Sequence, residues 1–215
     1  MIIIWYVVAS LIVSFIFGLT LLTSIVFKKL ENTFLSKYIF QLWFLISFFI
    51  MYFKAPIKVP ILNWTNIISL KNFIILFITV ILTSFIVAFK KTEKHNIIEW
   101  FLLGVSMEIP QRLFMQTFFI IVMTSMNYEK VNTIAIVMNT ILWVQFIVIQ
   151  DLISRIPIDR TTFNKLIASA CFSIGIGYLY ASSGCILLTM LGHGMERILS
   201  EILRRQATRK VSLRL

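Results

Sequence analysis

Gly104-Val-Ser-Met-Glu-Ile-Pro-Gln-Arg-Leu-Phe-Met-Gln-Thr117 sets an acid and a base, Glu108 and Arg112, in a stretch otherwise apolar enough to lie in a bilayer. On a helix the two fall on one face with the acid N-terminal, the favourable order for an ion pair. An ionisable group in hydrocarbon costs at least ~2.5–3.5 kcal/mol, so such groups tend to face a partner or a wet cavity. Pro110 removes a backbone donor and crowds the preceding turn, which predicts a kink or break, with freed carbonyls and Gln111 lining a pocket. A second stretch, Ser183-Gly-Cys-Ile-Leu-Leu-Thr-Met-Leu-Gly-His-Gly-Met-Glu-Arg197, repeats the four-residue spacing with His193 and Arg197. Gly192 and Gly194 flank the histidine, so a neighbouring helix is expected to approach closely. Together the four groups predict a polar centre inside a helical membrane protein. Residue types alone leave open a plainer use, as a neutralising ion pair and a helix–helix hydrogen bond.

The rest of the chain supports that setting. Of 215 residues, 59% are hydrophobic and only 13% charged, where soluble domains carry roughly 25%. No alternating ten-residue pattern recurs, which excludes a membrane β-barrel. The expected fold is all-α, a bundle of about seven transmembrane helices at about 2–27, 38–53, 73–89, 97–126, 131–150, 164–182 and 184–203, each near the length needed to cross ~30 Å of hydrocarbon. The first run has no basic leader or cleavage site and is read as a span. Residues 1–96 are expected to form scaffold, 97–203 the core with the polar site, and 204–215 a basic cytoplasmic tail. In span 5, Asn139, Gln145 and Gln150 read as interhelical glue. The outer loop at 54–72 carries Pro56, Pro60 and Trp64, which suits an interfacial re-entry. Cys171 and Cys185 have no metal-type spacing and read as small packing residues.

The net charge of +11 would raise nucleic-acid binding in a soluble protein. Here the positive-inside rule is the better reading. With seven spans and the N-terminus outside, 14 basic residues fall inside: Lys28, Lys29, Lys37, Lys90, Lys91, Lys94, Arg155, Arg160, Lys165, Arg204, Arg205, Arg209, Lys210 and Arg214. Only Lys54, Lys58, Lys71 and Lys130 fall outside. The tail is expected to lie against anionic lipid headgroups rather than nucleic acid. At 1.5 Å per residue, Glu108 sits on the order of 15 Å in from the cytoplasmic end of its span, and His193 lies at a similar depth from the other side. Both are expected near the midplane, with Gln150 closer to the cytoplasm.

This arrangement resembles the CPBP family of intramembrane proteases, also called Abi or CAAX-protease-like proteins, across about residues 97–200. The family pattern is Glu-Glu-x-x-x-Arg, then Phe-x-x-x-His, then a small-residue turn and His-x-x-x-Asn or Asp. The chain offers Met107-Glu108-x-x-x-Arg112, then Phe146-x-x-x-Gln150 (with Trp143-x-x-x-Ile147 as another register), then Ser183-Gly184-Cys185 and His193-x-x-x-Arg197. It departs at three positions: Met107 stands at the first glutamate, Gln150 at the second motif's histidine, and Arg197 at the asparagine.

The resemblance implies an integral plasma-membrane protein acting as an endopeptidase on a membrane-associated, hydrophobic or lipidated peptide or protein. A thioether cannot take a proton from water, so Glu108 is the expected base, with Arg112 offsetting its charge and Gln150 beside it. His193 and Arg197 are expected to polarise the scissile carbonyl. Two alternatives accompany this: a catalytically silent relative that binds a hydrophobic peptide, as in bacteriocin processing or self-immunity, and a small transporter, for which no charged track exists. Family members are often called metalloproteases. His193 with Glu108 makes at most two ligands where a catalytic zinc has three, so no divalent metal is assigned.

Overall fold

The computed structural model describes residues 2–26, 34–66, 69–88, 96–157 and 159–212. They form helices α1 (Ile2–Val26), α2 (Phe34–Lys54), α3 (Leu70–Ala88), α4 (Ile97–Glu108), α5 (Thr117–Ser125), α6 (Val131–Ile153), α7 (Arg160–Ser183) and α8 (Ile186–Ser212). A π-helical segment, Ile109–Gln116, joins α4 to α5 without interruption. Among the described residues there is no extended strand, only one antiparallel bridge between Leu62 and Cys185. Each apolar run read from the sequence is helical.

Pro110 does not break the helix in two. Its ring crowds the carbonyl four residues back, and the chain answers by widening to the π pattern, in which the Thr117 N–H donates to the Arg112 carbonyl five residues away. Past residue 204, where a basic tail is expected, α8 continues as helix to Ser212.

Among the described residues four helical stretches are long and apolar enough to cross a membrane: Ile2–Thr23, Leu70–Val87, Val131–Ile153 and Arg160–Ser183. Tyr38–Lys54 is apolar but shorter. The other expected spans, α4 to α5 and α8, hold the ionisable residues. Polarity is inverted relative to a water-soluble protein. Phe15 and Ile78 stand 67% and 61% exposed on the outside, while Glu108, Arg112, Gln116 and Ser173 are buried inside. An apolar surface of that extent fits a membrane protein, in which helices meet through polar contacts and close packing.

Phe44 and Phe48 of α2 pack with Phe114 of the π segment and Phe119 of α5 in one apolar cluster. Leu76 and Val80 of α3 pack with Phe172, Ile176 and Leu188 of α7 and α8 in another. Helix starts follow local chemistry. Asn96 accepts from the Ile98 amide at 3.0 Å to cap α4, and Asp159 accepts from the Thr161 and Thr162 amides at 2.9 Å to cap α7. The loop after α2 folds onto the α7–α8 junction, where the Asn63 amide donates to the Gly184 carbonyl at 3.0 Å and the Ile186 amide to Ile61 at 2.9 Å. Trp64 stays largely exposed there.

At the opposite end Lys165 of α7 holds Asp151 of α6 at 2.8 Å, near Arg204 and Arg205 of α8, which both bond Glu201. Of the other basic residues expected on the inner side, the side chains of Lys28, Lys29, Lys37, Lys90, Lys91, Lys94, Arg209, Lys210 and Arg214 lie outside the described part. Cys171 and Cys185 are free thiols, the second fully buried.

Candidate functional site

Where α4 crosses α8, Gly104 allows the backbones to touch: a Cβ there would stand 2.9 Å from the His193 carbonyl oxygen and 2.7 Å from the Arg197 Cγ. Gly194 does the same for the Phe101 ring, 2.3 Å from the position of its missing Cβ. These close approaches, expected from the glycines flanking His193, bring the acid of one helix to the imidazole of the other. His193 Nδ1 lies 2.7 Å from Glu108 Oε1, and both side chains are buried.

An ionised carboxylate only accepts hydrogen bonds, so opposite one Nδ1 is the donor and Nε2 turns towards Arg197. Arg112 Nε stands 3.5 Å from Glu108 Oε2, close enough to neutralise the acid, though neither atom has a hydrogen bond. Acid and base set opposite charges side by side, which lowers the cost of burying them. The Phe172 ring lies 4.5 Å from the imidazole, centre to centre.

Beyond His193 a cavity of about 300 Å³ extends between α3, α4, α6, α7 and α8 towards the basic end. His193, Arg197, Gln150, Met107 and Gln111 line it. Four of the motif positions therefore share one hollow. Both second-motif registers do too, since Trp143, Phe146, Ile147 and Gln150 all face it.

Two nominated residues do not line the cavity. Glu108 is fully buried behind His193, and Arg112 lies deeper still. Met107, one position earlier, takes the cavity-facing place, with its sulfur 3.5 Å from Gln41 Nε2 of α2. The reason is angular: successive helical residues point about 100° apart, and the π segment begins only after Glu108. Among the described residues Glu196 is the only acid lining the cavity, and it pairs with Arg197 at 3.6 Å.

Arg197 NH2 lies 3.5 Å from His193 Nε2, and its guanidinium stacks over Trp100 at 4.6 Å. The arginine is thus parked at the imidazole's free nitrogen on a side chain that keeps partial exposure. A metal fits this donor set poorly. Glu108 and His193 spend their facing atoms on each other, and no cluster of three histidine, cysteine or carboxylate groups exists among the described residues.

The sequence also gave no notice of three features. Thr83, Ile86 and Val87 of α3, expected as mere scaffold, line the cavity. Lys165 lines its mouth. Arg112 is held from α7 and the π segment: NH2 donates to Ser173 Oγ and NH1 to Gln116 Oε1, both at 3.1 Å. The i, i+4 spacing of Arg112 and Gln116 was legible; the reach to Ser173, 61 residues on, was not. Of the amides, Gln145 accepts from the Tyr6 hydroxyl of α1, as interhelical glue does. Asn139 is buried with its Nδ2 unpaired. Comparison with protein-family models, curated proteins and solved structures gives no match to this chain.

Proposed function

We propose that this chain is a divergent intramembrane endopeptidase of the CPBP type, with seven spans, the N-terminus outside and the basic end in the cytoplasm. The observation that carries the reading is the 2.7 Å pairing of Glu108 with His193 at the head of a cavity shared with Gln150 and Arg197. Roles differ from those the sequence suggested. His193 Nε2 is the base, because it faces the cavity and Glu108 does not. Glu108 is its positioning partner, fixing the tautomer and stabilising the imidazolium that forms, as a carboxylate does for the histidine of a catalytic triad.

In this reading a hydrophobic or lipidated peptide enters the cavity from the membrane. Water held near Gln150 loses a proton to His193 Nε2 as its oxygen bonds to the scissile carbonyl carbon. Arg197 swings from Nε2 to donate to the developing oxyanion. His193 then returns the proton to the leaving amine as the C–N bond breaks. Arg112 balances Glu108 throughout. No step requires a metal.

A second reading has its own support. Met107 and Gln150 face the cavity where the family pattern has its glutamate and histidine, which favours a relative that binds peptide without cutting it, in a bacteriocin-processing or self-immunity role. The test is cleavage of a membrane-delivered peptide by purified protein in liposomes. Turnover that is abolished by His193→Ala and by Glu108→Ala is the expected result. Cleavage surviving His193→Ala sinks the endopeptidase reading. Binding without turnover, with activity created by Met107→Glu plus Gln150→His, establishes the second reading instead.

A further inference from the structure

Arg112 is a buried arginine that does not close on its own acid. An arginine beside a carboxylate normally makes two parallel N–H···O bonds. Here the approach to Glu108 is Nε to Oε2, at 3.5 Å and without a hydrogen bond. Both terminal nitrogens are directed elsewhere, NH1 to Gln116 Oε1 and NH2 to Ser173 Oγ, at 3.1 Å each. These anchors are themselves held. Gln116 Nε2 donates to the Gly177 carbonyl at 2.8 Å, and Ser173 Oγ also receives the Thr140 hydroxyl at 3.1 Å. Every member of the set is buried, so water does not compete for these bonds.

We propose that Ser173, braced by Thr140, is a positioning residue that holds the Arg112 guanidinium off Glu108 and so keeps the carboxylate's charge available to His193. The inference rests on the reading of His193 as the base, but its physical content is independent of turnover. With Ser173 in place, Glu108 directs its one short bond at Nδ1. Without it, NH2 loses its acceptor in a site buried from bulk solvent, and an unsatisfied buried donor on a charged group is costly. Glu108 Oε2, 3.5 Å from Nε and without a hydrogen bond, is an acceptor it can turn to. The guanidinium then closes on the carboxylate, and the imidazolium loses part of its counter-charge. Charged groups around His193 are Glu108 on α4, Arg112 behind it on the π segment, and Arg197 with Glu196 on α8, with Lys165 of α7 and Arg204 of α8 lining the same cavity. From α7 it meets the Phe172 ring, and from α3 the cavity residue Thr83 brings no charge.

The chain has two histidines, so His95→Gln leaves His193 as a single reporter. Its ring would be titrated by ¹⁵N NMR in detergent micelles, with folding checked by size exclusion and circular dichroism. Ser173→Ala is expected to lower the His193 pKa by about half a unit or more, the direction set by weaker anionic support. Ser173→Thr, which keeps the hydroxyl, is expected to restore it. Thr140→Val, which loosens Ser173 without touching Arg112, is expected to shift it the same way by less, and it serves if Ser173→Ala does not fold. An unmoved titration in folded Ser173→Ala, or in Thr140→Val if that is the only folded variant, overturns the proposal. Loss of cleavage with an unmoved titration would likewise count against it, while a shifted titration in a protein that never cleaves peptide keeps it and rejects only the endopeptidase reading.

Discussion

Glu108 shows how one residue's chemistry is divided by its neighbours. Its Oε1 is committed to His193 and its Oε2 faces Arg112, so no part of it is left for a substrate. The family resemblance nominated it as a base because it was the acid adjacent to a methionine that cannot act as one. The structure brings Glu108 and His193 together but leaves Glu108 off the cavity wall. The burial of both charges sets the stakes of substitution. Glu108→Gln keeps the size and an acceptor for His193 but leaves Arg112 as a buried charge with no counterion, a change that costs about 3–5 kcal/mol in comparable buried pairs. Denaturant unfolding in micelles is expected to show a loss of that order. Adding Arg112→Met, which removes the orphaned charge, is expected to recover a large part of it. A Glu108→Gln protein as stable as the unaltered one would mean that the pair is not charged.

At the scale of elements, the π segment is the feature that the sequence signalled without specifying. Pro110 announced a disturbance, and the disturbance took the form of a wider helix rather than a corner. A π turn shifts the residues after it around the axis, which is how Gln116 and Thr117 come to face α7: Gln116 reaches the Gly177 carbonyl, and Thr117 shares a hydrogen bond with the Tyr180 hydroxyl at 3.0 Å. Such segments recur at functional sites for this reason. The start of α7 depends on simpler local chemistry. The Thr161 hydroxyl donates to Asp159, as do the Thr161 and Thr162 amides, and these bonds hold its carboxyl below the usual carboxylate range. A depressed carboxyl caps fully above its ordinary range and loses its effect as pH falls through the lowered value. Hydrogen exchange at the Thr161 and Thr162 amides, corrected for intrinsic rates and followed from about pH 6 to about pH 2, is expected to show protection falling with acid. In Asp159→Asn that acid-dependent fall is expected to vanish. Identical profiles would remove Asp159 as the cap.

For the whole molecule, the two ends differ in how they are finished. One is sealed by the loop after α2 lying on Gly184 and Cys185, and the other opens along the cavity past Lys165 and Arg204. If the basic end faces the cytoplasm, single cysteines placed at Asn63 and at Arg155 in a Cys171→Ser background will label from opposite sides of intact cells. Position 63 is expected to react with an impermeant maleimide added outside and position 155 only after permeabilisation, while the fully buried Cys185 stays silent. The reverse pattern would invert the orientation. By itself the sequence determined that the chain is helical and apolar on its outside, and that ionisable residues on two helices had to find partners, because hydrocarbon length and the cost of burying charge act on composition and local spacing. Which atom faces the cavity was decided only by tertiary structure. It depends on the angle at which α4 meets α8 through Gly104 and Gly194, on the π turn after Glu108, and on a serine of α7 that reaches Arg112 from 61 residues away, and none of these is a property of any one segment.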